Sequence, residues 1–211
     1  MKAQIHHFFD PLCGWCWGFS QTFLNFKKAH ETEFDWQSIT GGMIVGDRVK
    51  PAHHLKEFIH THAPRVTELT QAEFSPLYME NLLSSDAPLS SYEPSLVFHV
   101  LLSKTPNQGA EIAHAIHALI HIDGVAPTDF ERYIPLALSY GFSQAEFLEA
   151  VHSDSTRQAF EQNVKQSQEW GVRGFPAVVV QHGEQYDLIA NGFCDLETLN
   201  ARLEKVRASL V

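Results

Sequence analysis

Between the amino terminus and the first two consecutive glycines, the spacing of the apolar residues changes twice. Residues 3–9 form a short continuous run rich in β-formers, which is typical of a strand buried on both faces. Asp10-Pro11 ends that run, and from Cys13 onward the apolar residues recur at helical spacing up to a pair of lysines. Residues 34–39 are a second strand candidate. This order predicts a β-α-β unit with two parallel strands.

The middle of the chain, from about residue 51 to residue 170, predicts helices and no strand. Two of these helices begin with a capping box, in which a hydroxyl residue is followed three positions later by glutamate. The predicted helices run from Pro51 to residue 59, from Glu93-Pro94, from 108 to 122, from Thr128, from Ser143, and from 156 to 170.

Strand character returns near the carboxyl end, where residues 177–181 and 185–190 are predicted to form a hairpin. Asp195 is expected to cap a final helix with one apolar face. The chain is therefore predicted to be an α/β protein in which three or four strands with flanking helices are interrupted by a helical block. The corresponding domain boundaries are 1–50 and 171–211 for the sheet, and 51–170 for the helical insertion.

The composition is that of an ordinary globular protein, with 44% hydrophobic and 19% charged residues. A net charge of −10 argues against nucleic acid and against an anionic membrane as partners, because both are bound through basic patches. Neither a leader segment nor a membrane-spanning run is found, so we expect a cytoplasmic protein. In that reducing compartment the three cysteines are not expected to form structural disulfides.

Cys13 and Cys16 form a C-x-x-C motif at the junction of the first strand and the first helix. A thiol at a helix N-terminus meets unpaired amide donors and the positive end of the helix dipole, which favour its thiolate. Because the thiolate is the nucleophile in disulfide exchange, Cys13 is the predicted attacking residue and Cys16, one turn further along, the resolving thiol. A structural zinc site would need four ligands, and only Cys194 remains among the cysteines. No metal and no dissociable cofactor are therefore expected.

Residues 10–18 resemble the DsbA-like branch of the thioredoxin superfamily, in particular its cytoplasmic FrnE-like members. This resemblance implies a thioredoxin-like fold with an inserted all-helical domain. Residues 171–176 are similar to the family's cis-proline loop, which implies a cis Phe175-Pro176 bond beside the disulfide and a Phe175 backbone that offers hydrogen bonds to an extended substrate. Kappa-class glutathione transferases and chromene carboxylate isomerases share the architecture, but they use a serine where Cys13 stands.

Other residues are assigned to the site by analogy with thioredoxin-fold proteins. His7 lies six residues before the nucleophile, where such proteins often hold a buried acid. It is either a proton acceptor for the resolving thiol or a neutral histidine hydrogen-bonded in the sheet. Gly192 is matched with a substrate-contacting glycine. Trp15 and Trp17 are expected to form an aromatic rim because they lie beside the two cysteines, although core packing is the alternative for Trp17. Cys194 is expected to be a small buried hydrophobe.

Two groups of histidines share helix faces in the helical block. Neither has the companion carboxylate spacing of a metal motif, so they are expected to be solvated or hydrogen-bonded. They are His114, His117 and His121 in one group and His53, His54, His60 and His62 in the other.

The predicted function is exchange of the Cys13-Cys16 pair with protein or peptide thiols, together with an unidentified recycling partner. Relatives with different residues between the two cysteines differ widely in redox potential. The Gly14-Trp15 pair therefore leaves reductant, oxidant and isomerase open. The alternative function is a non-catalytic DsbA-like adaptor that holds a client protein in the same groove.

Overall fold

The computed structural model describes residues 2–209 of the chain. The strands in this part are β1 (Gln4–Phe9), β2 (Asp35–Thr40), β3 (Lys50–Pro51), β4 (Pro88–Leu89), β5 (Ala177–His182) and β6 (Gln185–Asn191). The α-helices are α1 (Gly14–Ala29), α2 (Lys56–Thr70), α3 (Tyr92–Lys104), α4 (Gly109–His121), α5 (Ile134–Ser139), α6 (Gln144–Val151), α7 (Asp154–Glu169) and α8 (Leu196–Ser209).

Shorter helical turns connect several of these elements. Leu77–Asn81 forms a π-helical turn, and the 3-10 turns are Gly46–Arg48, Ala52–Leu55, Leu82–Ser84 and Phe130–Tyr133. None of the helices within residues 2–209 is both long and apolar enough to cross a membrane.

One four-stranded sheet, in the order β2-β1-β5-β6, organises the fold. β1 and β2 are parallel, with Gln4 opposite Asp35, and α1 supplies the crossover that a parallel pair requires. β5 runs antiparallel to both β1 and β6, and a bulge between Val178 and Val179 interrupts its pairing with β6. Helices α2 to α7 are all inserted between β2 and β5. The expected α/β fold with an inserted helical block is thus confirmed, while the boundaries at residues 50 and 170 stay a prediction.

Helices cover both faces of this sheet. The face under α1 and α8 buries one apolar cluster, whose members include Ile5, Phe19, Phe23, Val178, Leu199 and Leu203. The opposite face, next to the end of α7, buries Phe8, Ile39, Ala177 and Val179 against Trp170. The largest cluster belongs to the helical block and also includes Phe9 of β1 and both cysteines of the C-x-x-C motif. The site therefore lies where the sheet and the inserted helices meet.

The prediction of no strand between residues 51 and 170 was wrong at one place. Lys50 and Pro51 pair with Leu89 and Pro88 in a two-stranded antiparallel ribbon. Pro51 is thus a strand residue, and the helix expected to start there begins at Lys56 and continues to Thr70. A two-residue strand is too short to leave any periodicity in the sequence, which explains the error.

Of the two predicted capping boxes, one is present. Ser143 accepts from the Glu146 backbone N–H, and the Glu146 carboxylate accepts from the Ser143 backbone N–H. The box expected at Thr128 is absent, because the chain there forms a 3-10 turn whose N-cap is Asp129, without a side-chain cap. The predicted Asp195 cap is confirmed by its hydrogen bond from the Thr198 backbone N–H, at 2.7 Å.

Candidate active site

Cys13 is the N-cap of α1, at the point where the chain leaves β1 and turns into the helix. Its backbone is extended, its N–H donates to the Asp10 carbonyl at 3.1 Å, and its sulfur accepts from the Cys16 backbone N–H at 3.3 Å. An N-cap side chain takes up one of the unpaired amide donors at a helix start. The sulfur of Cys13 thus occupies a position that stabilises negative charge. Only 6% of the residue is exposed.

Cys16 lies one turn further into α1 and is almost completely buried, with 1% exposed. Burial raises the pKa of its thiol well above the ordinary value, and the hydrogen bond and charge of Cys13 raise the pKa further. The two thiols therefore lie in different surroundings. Cys13 has a helix amide directed at its sulfur, whereas Cys16 is held as a protonated thiol while Cys13 is reduced.

Phe175 and Pro176 face the first thiol from the loop before β5. Their peptide bond is cis, as the resemblance implied. The Cys13 thiol donates to the Phe175 carbonyl, with 3.5 Å between the atoms. The Phe175 ring fills the space over Gly41, where a Cβ would lie only 1.8 Å from the ring. Glycine at position 41 therefore permits the observed position of the Phe175 ring.

The Gly192 loop joins the same edge of the site. The Gly192 N–H donates to the Pro176 carbonyl at 2.7 Å, and Gly192 has a φ of +85°, which favours glycine. The half-buried Trp15 ring lies 6.5 Å from the ring of Phe193 in this loop. Trp15, the cis-proline loop and the Gly192 loop thus surround the Cys13 end of α1.

Trp17 faces away from this rim. Its ring stacks on His121 at 6.1 Å with an angle of 5°, and lies 5.3 Å from His114. Its indole N–H donates to the Glu73 carbonyl at 2.8 Å. The alternative of packing between the helices is therefore the observed one, with Trp17 joining α1 to the helical block.

Asp10 is a site residue that the sequence analysis missed. Its fully buried carboxylate accepts from the Leu12 and Met43 backbone N–H groups at 3.0 and 2.6 Å and from the Ser91 hydroxyl at 2.7 Å. Burial raises the pKa of Asp10, and these hydrogen bonds offset only part of that rise. Asp10 thus fixes the turn that presents Cys13. The sequence signal for such a turn is an aspartate, because its side chain can accept a hydrogen bond from the backbone N–H two residues later.

His7 is buried on the α1 side of β1. Its ring stacks on Phe23 at 3.9 Å and on Phe9 at 5.5 Å, and within residues 2–209 neither ring nitrogen has a hydrogen-bond partner. Burial and the charge of a protonated His117 lower its pKa to about 3. His7 is therefore neutral at neutral pH, but it lacks the hydrogen bond in the sheet that one hypothesis assumed.

The histidines of α4 connect the helical block to the active-site turn. His117 donates through Nε2 to the Asp10 carbonyl at 3.0 Å, and His121 donates through Nδ1 to the His117 carbonyl at 3.0 Å. His114 is hydrogen-bonded with the Ser20 hydroxyl at 2.9 Å. In the part of the chain described here, no group of histidine, cysteine and acidic residues is arranged to hold a metal ion.

The second histidine group lies on and just before α2, where His53, His54 and His62 are exposed and His60 is partly buried. The remaining thiol, Cys194, lies just before α8 with 8% exposed, and burial raises its pKa. All three cysteines are free thiols in this structure.

Comparison with known proteins gives a family match over most of the chain. A family model described as Thioredoxin matches residues 6–200. No curated protein sequence matches the chain.

Three of the similar solved structures come from different bacteria. A candidate protein disulfide isomerase from Nitrosomonas europaea is 23% identical, with 99% of both chains covered and a TM-score of 0.84. Cytosolic disulfide reductase DsbM from Pseudomonas aeruginosa is 22% identical, with 99% of this chain and 100% of that chain covered and a TM-score of 0.76, and it has also been solved with GSH. A candidate DsbA oxidoreductase from Streptomyces coelicolor is 14% identical, with 98% and 90% covered and a TM-score of 0.71. The fold is that of the DsbA-like branch.

Proposed function

Because the chain belongs to the thioredoxin family, we propose that it catalyses thiol–disulfide exchange with protein or peptide thiols through Cys13 and Cys16. One observation carries the proposal. The sulfur of Cys13 lies at the start of α1 with the Cys16 N–H directed at it, 3.5 Å from the Phe175 carbonyl. A helix N-terminus favours a thiolate at this position, and the thiolate is the attacking species in exchange.

Reduction of a substrate disulfide then proceeds in two displacements. The Cys13 thiolate attacks one substrate sulfur, the substrate S–S bond breaks, and the second substrate sulfur leaves as a thiolate. Cys16 then loses its proton and attacks the Cys13 sulfur of the mixed disulfide. The first substrate sulfur leaves and takes up a proton, and the Cys13–Cys16 disulfide remains. Two thiols from a recycling partner reduce this disulfide and become oxidised to a disulfide themselves.

Removal of the proton from Cys16 is the unfavourable step, because burial holds that thiol protonated. Oxidation of Cys13 to a mixed disulfide removes the Cys13 charge that opposes ionisation of Cys16. We assign His7 as the candidate acceptor of this proton, since it is neutral and unpartnered within residues 2–209. Its lowered pKa means that the proton would stay on His7 only briefly before passing to the leaving thiolate.

The substrate groove is assigned to Trp15, Phe175, Pro176 and Gly192. The Phe175 carbonyl faces the attacking sulfur, so an extended peptide can hydrogen-bond along this loop while its sulfur meets Cys13. The aromatic surface of Trp15 beside Phe193 would contact apolar side chains of the substrate.

We further propose that the exchange runs as a reduction in the cytoplasm, with glutathione as the recycling thiol. The Pseudomonas aeruginosa neighbour is described as a cytosolic disulfide reductase and has been solved with GSH. Isomerisation is the second candidate activity, favoured by the description of the Nitrosomonas europaea neighbour. Insulin reduction driven by glutathione, compared with refolding of a scrambled disulfide protein, separates the two activities.

The decisive experiment traps the mixed disulfide. Cys16→Ser should accumulate disulfide-linked clients in cells, because the first displacement proceeds and the second cannot. Cys13→Ser should accumulate none, since the remaining thiol is buried and protonated. Cys194→Ser is the matched control and should behave like the parent. Non-reducing gels followed by identification of the trapped proteins give the readout.

Each outcome decides between the functions. A ladder from Cys13→Ser would reverse the roles of the two thiols. No ladder from either variant, while client binding persists, would assign the protein to the alternative class of non-catalytic adaptors.

A further inference from the structure

A cleft opens on the side of the sheet that α7 covers only in part. α7 packs against β2, where Asn163 accepts from the Thr40 backbone N–H at 3.0 Å. Its C-cap is Trp170, whose ring lies 4.6 Å from the His6 ring of β1. β5 and β6 lie further along the sheet, and β6 is its outer strand. The cleft between the end of α7 and these two strands has a volume of about 440 Å³, which is within the range of ligand sites.

Apolar side chains form one wall of this cleft and are open to solvent. Leu188 of β6 is 57% exposed and is paired with Val179 of β5. Tyr186 is 52% exposed, and its ring lies 4.6 Å from the Trp170 ring in an edge-to-face arrangement. Exposed apolar side chains that are grouped on a concave surface are typical of a binding site.

The cleft is continuous with the groove assigned to the substrate. Arg173 of the cis-proline loop and Asn191, which precedes Gly192, both line the cleft. Phe175 belongs to both regions, because its carbonyl accepts from the Cys13 thiol while its ring packs against the apolar cluster on this face of the sheet. A chain bound at the cis-proline loop therefore has a direct path into the cleft.

Arg173 gives the end of the cleft next to the cis-proline loop a positive charge. Its side chain is exposed, and none of the ion pairs within residues 2–209 includes it. The other charged residue of the lining, Glu169, lies 3.6 Å from the Lys165 ammonium. The cleft thus combines an available cation near the active site with an apolar surface further along β6.

We propose that this cleft binds the polypeptide that flanks the reactive cysteine of a client, with an apolar side chain against Leu188 and Tyr186 and a carboxylate on Arg173. The inference rests on the proposed function and adds its substrate class, a polypeptide disulfide with this pattern of side chains. Leu188 lies three residues, or about 10 Å, along β6 from Asn191. In an extended client the apolar residue is therefore expected about three to five positions from the cysteine.

Binding of unreactive peptides tests the assignment without exchange chemistry. The protein carries Cys13→Ser and Cys16→Ser, and the probes are fluorescent peptides of about eleven residues with a central serine in place of cysteine. Each probe has one phenylalanine, about three to five positions from the serine on either side, and a glutamate between them. The reference peptide has alanine and glutamine instead. Fluorescence anisotropy should show a phenylalanine probe that binds about tenfold tighter than the reference, because burial of one aromatic side chain supplies at least that factor.

Leu188→Asn should abolish this preference, since it replaces the apolar wall at a position that is already exposed. Leu138→Asn is the matched control, because Leu138 of α5 is 55% exposed and does not line the cleft. It should keep the preference of the parent. Arg173→Gln should weaken binding of glutamate-containing probes about two- to fivefold and leave glutamine-containing probes unchanged.

The same substitution has a distinct signature in the exchange-competent protein. With a phenylalanine-containing peptide disulfide, Leu188→Asn should raise KM about tenfold and leave kcat unchanged, because the contact is the same in the ground state and the transition state. Reduction of glutathione disulfide should match that of the parent, since glutathione has no apolar side chain to place against Leu188.

Equal affinities for the phenylalanine and reference peptides, or a preference that persists in Leu188→Asn, would overturn the assignment. A dimer of the parent that Leu188→Asn makes monomeric in sedimentation would assign the cleft to a second copy of the chain and would also overturn it. The proposed function fails separately. In that case Cys16→Ser traps no clients while the peptide preference remains, whereas trapping without any peptide preference removes only the cleft.

Discussion

Lowering the pH from 7 to 5 is expected to destabilise this protein strongly, because four histidines within residues 2–209 have pKa values of about 3 or 4 in the folded state. Burial lowers the pKa of His7 and His121 to about 3, and of His99 and His117 to about 4. In the unfolded chain each histidine titrates near ~6.5. Between these pKa values, the unfolded chain therefore binds protons that the folded protein does not bind. This stability is fully present above pH ~6.5 and is lost as the pH falls toward the folded values.

The magnitude follows from the interval between the two pKa values. Between pH 7 and pH 5 each histidine costs about 2 kcal/mol of folding free energy, and the four together cost about 7–8 kcal/mol. All four folded pKa values lie below this pH range, so almost the whole proton uptake of the unfolded chain appears as lost stability. Typical domains are stable by about 5–15 kcal/mol, so the loss is comparable with the whole stability.

One buried group opposes this trend. Burial raises the pKa of Asp10, so its ionised form is penalised in the folded state and this penalty disappears as the carboxylate gains a proton. Protonation of Asp10 at low pH therefore stabilises the folded state to some extent. It is one group against four, and its hydrogen bonds already reduce the penalty.

Urea unfolding at a series of pH values measures the effect. The free energy of unfolding should fall with a slope of about 5 kcal/mol per pH unit near pH 5, which corresponds to uptake of about four protons. His7→Leu should remove about a quarter of this slope, because the His7 ring has apolar neighbours and its loss breaks no hydrogen bond within residues 2–209. The exposed His182→Gln is the control and should leave the slope unchanged. A slope below about one proton, or equal slopes for parent and His7→Leu, would refute the reasoning.

Two further substitutions test contacts that support the site. Gly41→Ala should displace the Phe175 ring and slow exchange by about tenfold, measured as insulin reduction. Gly174→Ala is the control and should leave the rate of exchange unchanged, because its Cβ would meet nothing within 4 Å. Glu111→Gln should lower the free energy of unfolding in urea by about 1–3 kcal/mol, because it leaves the buried Lys27 ammonium, now 2.7 Å from Glu111, without its counter-charge. No change in either measurement would contradict the corresponding contact.

The first strand and the position of the two cysteines at the start of α1 were predictable because their signals are local. A continuous apolar strand, an Asp-Pro stop and a helix that starts at Cys13 are all encoded within neighbouring residues. The Ser143 capping box was predictable for the same reason, since both its hydrogen bonds join residues three apart. The Thr128 box failed although its residues fit the motif equally well, because the chain there forms a 3-10 turn. A capping motif indicates where a helix can start and does not require one.

The rest of the site depends on contacts between distant segments. His117 reaches the Asp10 carbonyl across 107 positions, and the Ser91 hydroxyl reaches the Asp10 carboxylate across 81. Tyr78 lies in the same buried cluster as both cysteines, and its segment is anchored on the end of α4. Helical periodicity indicates which face of a helix is apolar, but several inserted helices can be packed in many ways that satisfy it. The identity of the residues behind Cys13 is therefore a property of the packing.

Histidine suits these connections for a physical reason that also explains the expected acid sensitivity. A buried side chain that donates to a main-chain carbonyl costs less to bury when its donor is uncharged, because an unpaired ammonium or guanidinium would lose far more hydration free energy. Neutral His117 and His121 meet this condition as donors to the carbonyls of Asp10 and His117. Protonation would place a charge directly behind the turn that presents Cys13. Acid therefore acts mainly through the unfolded chain, in which His117 and His121 gain the protons that they do not bind when buried.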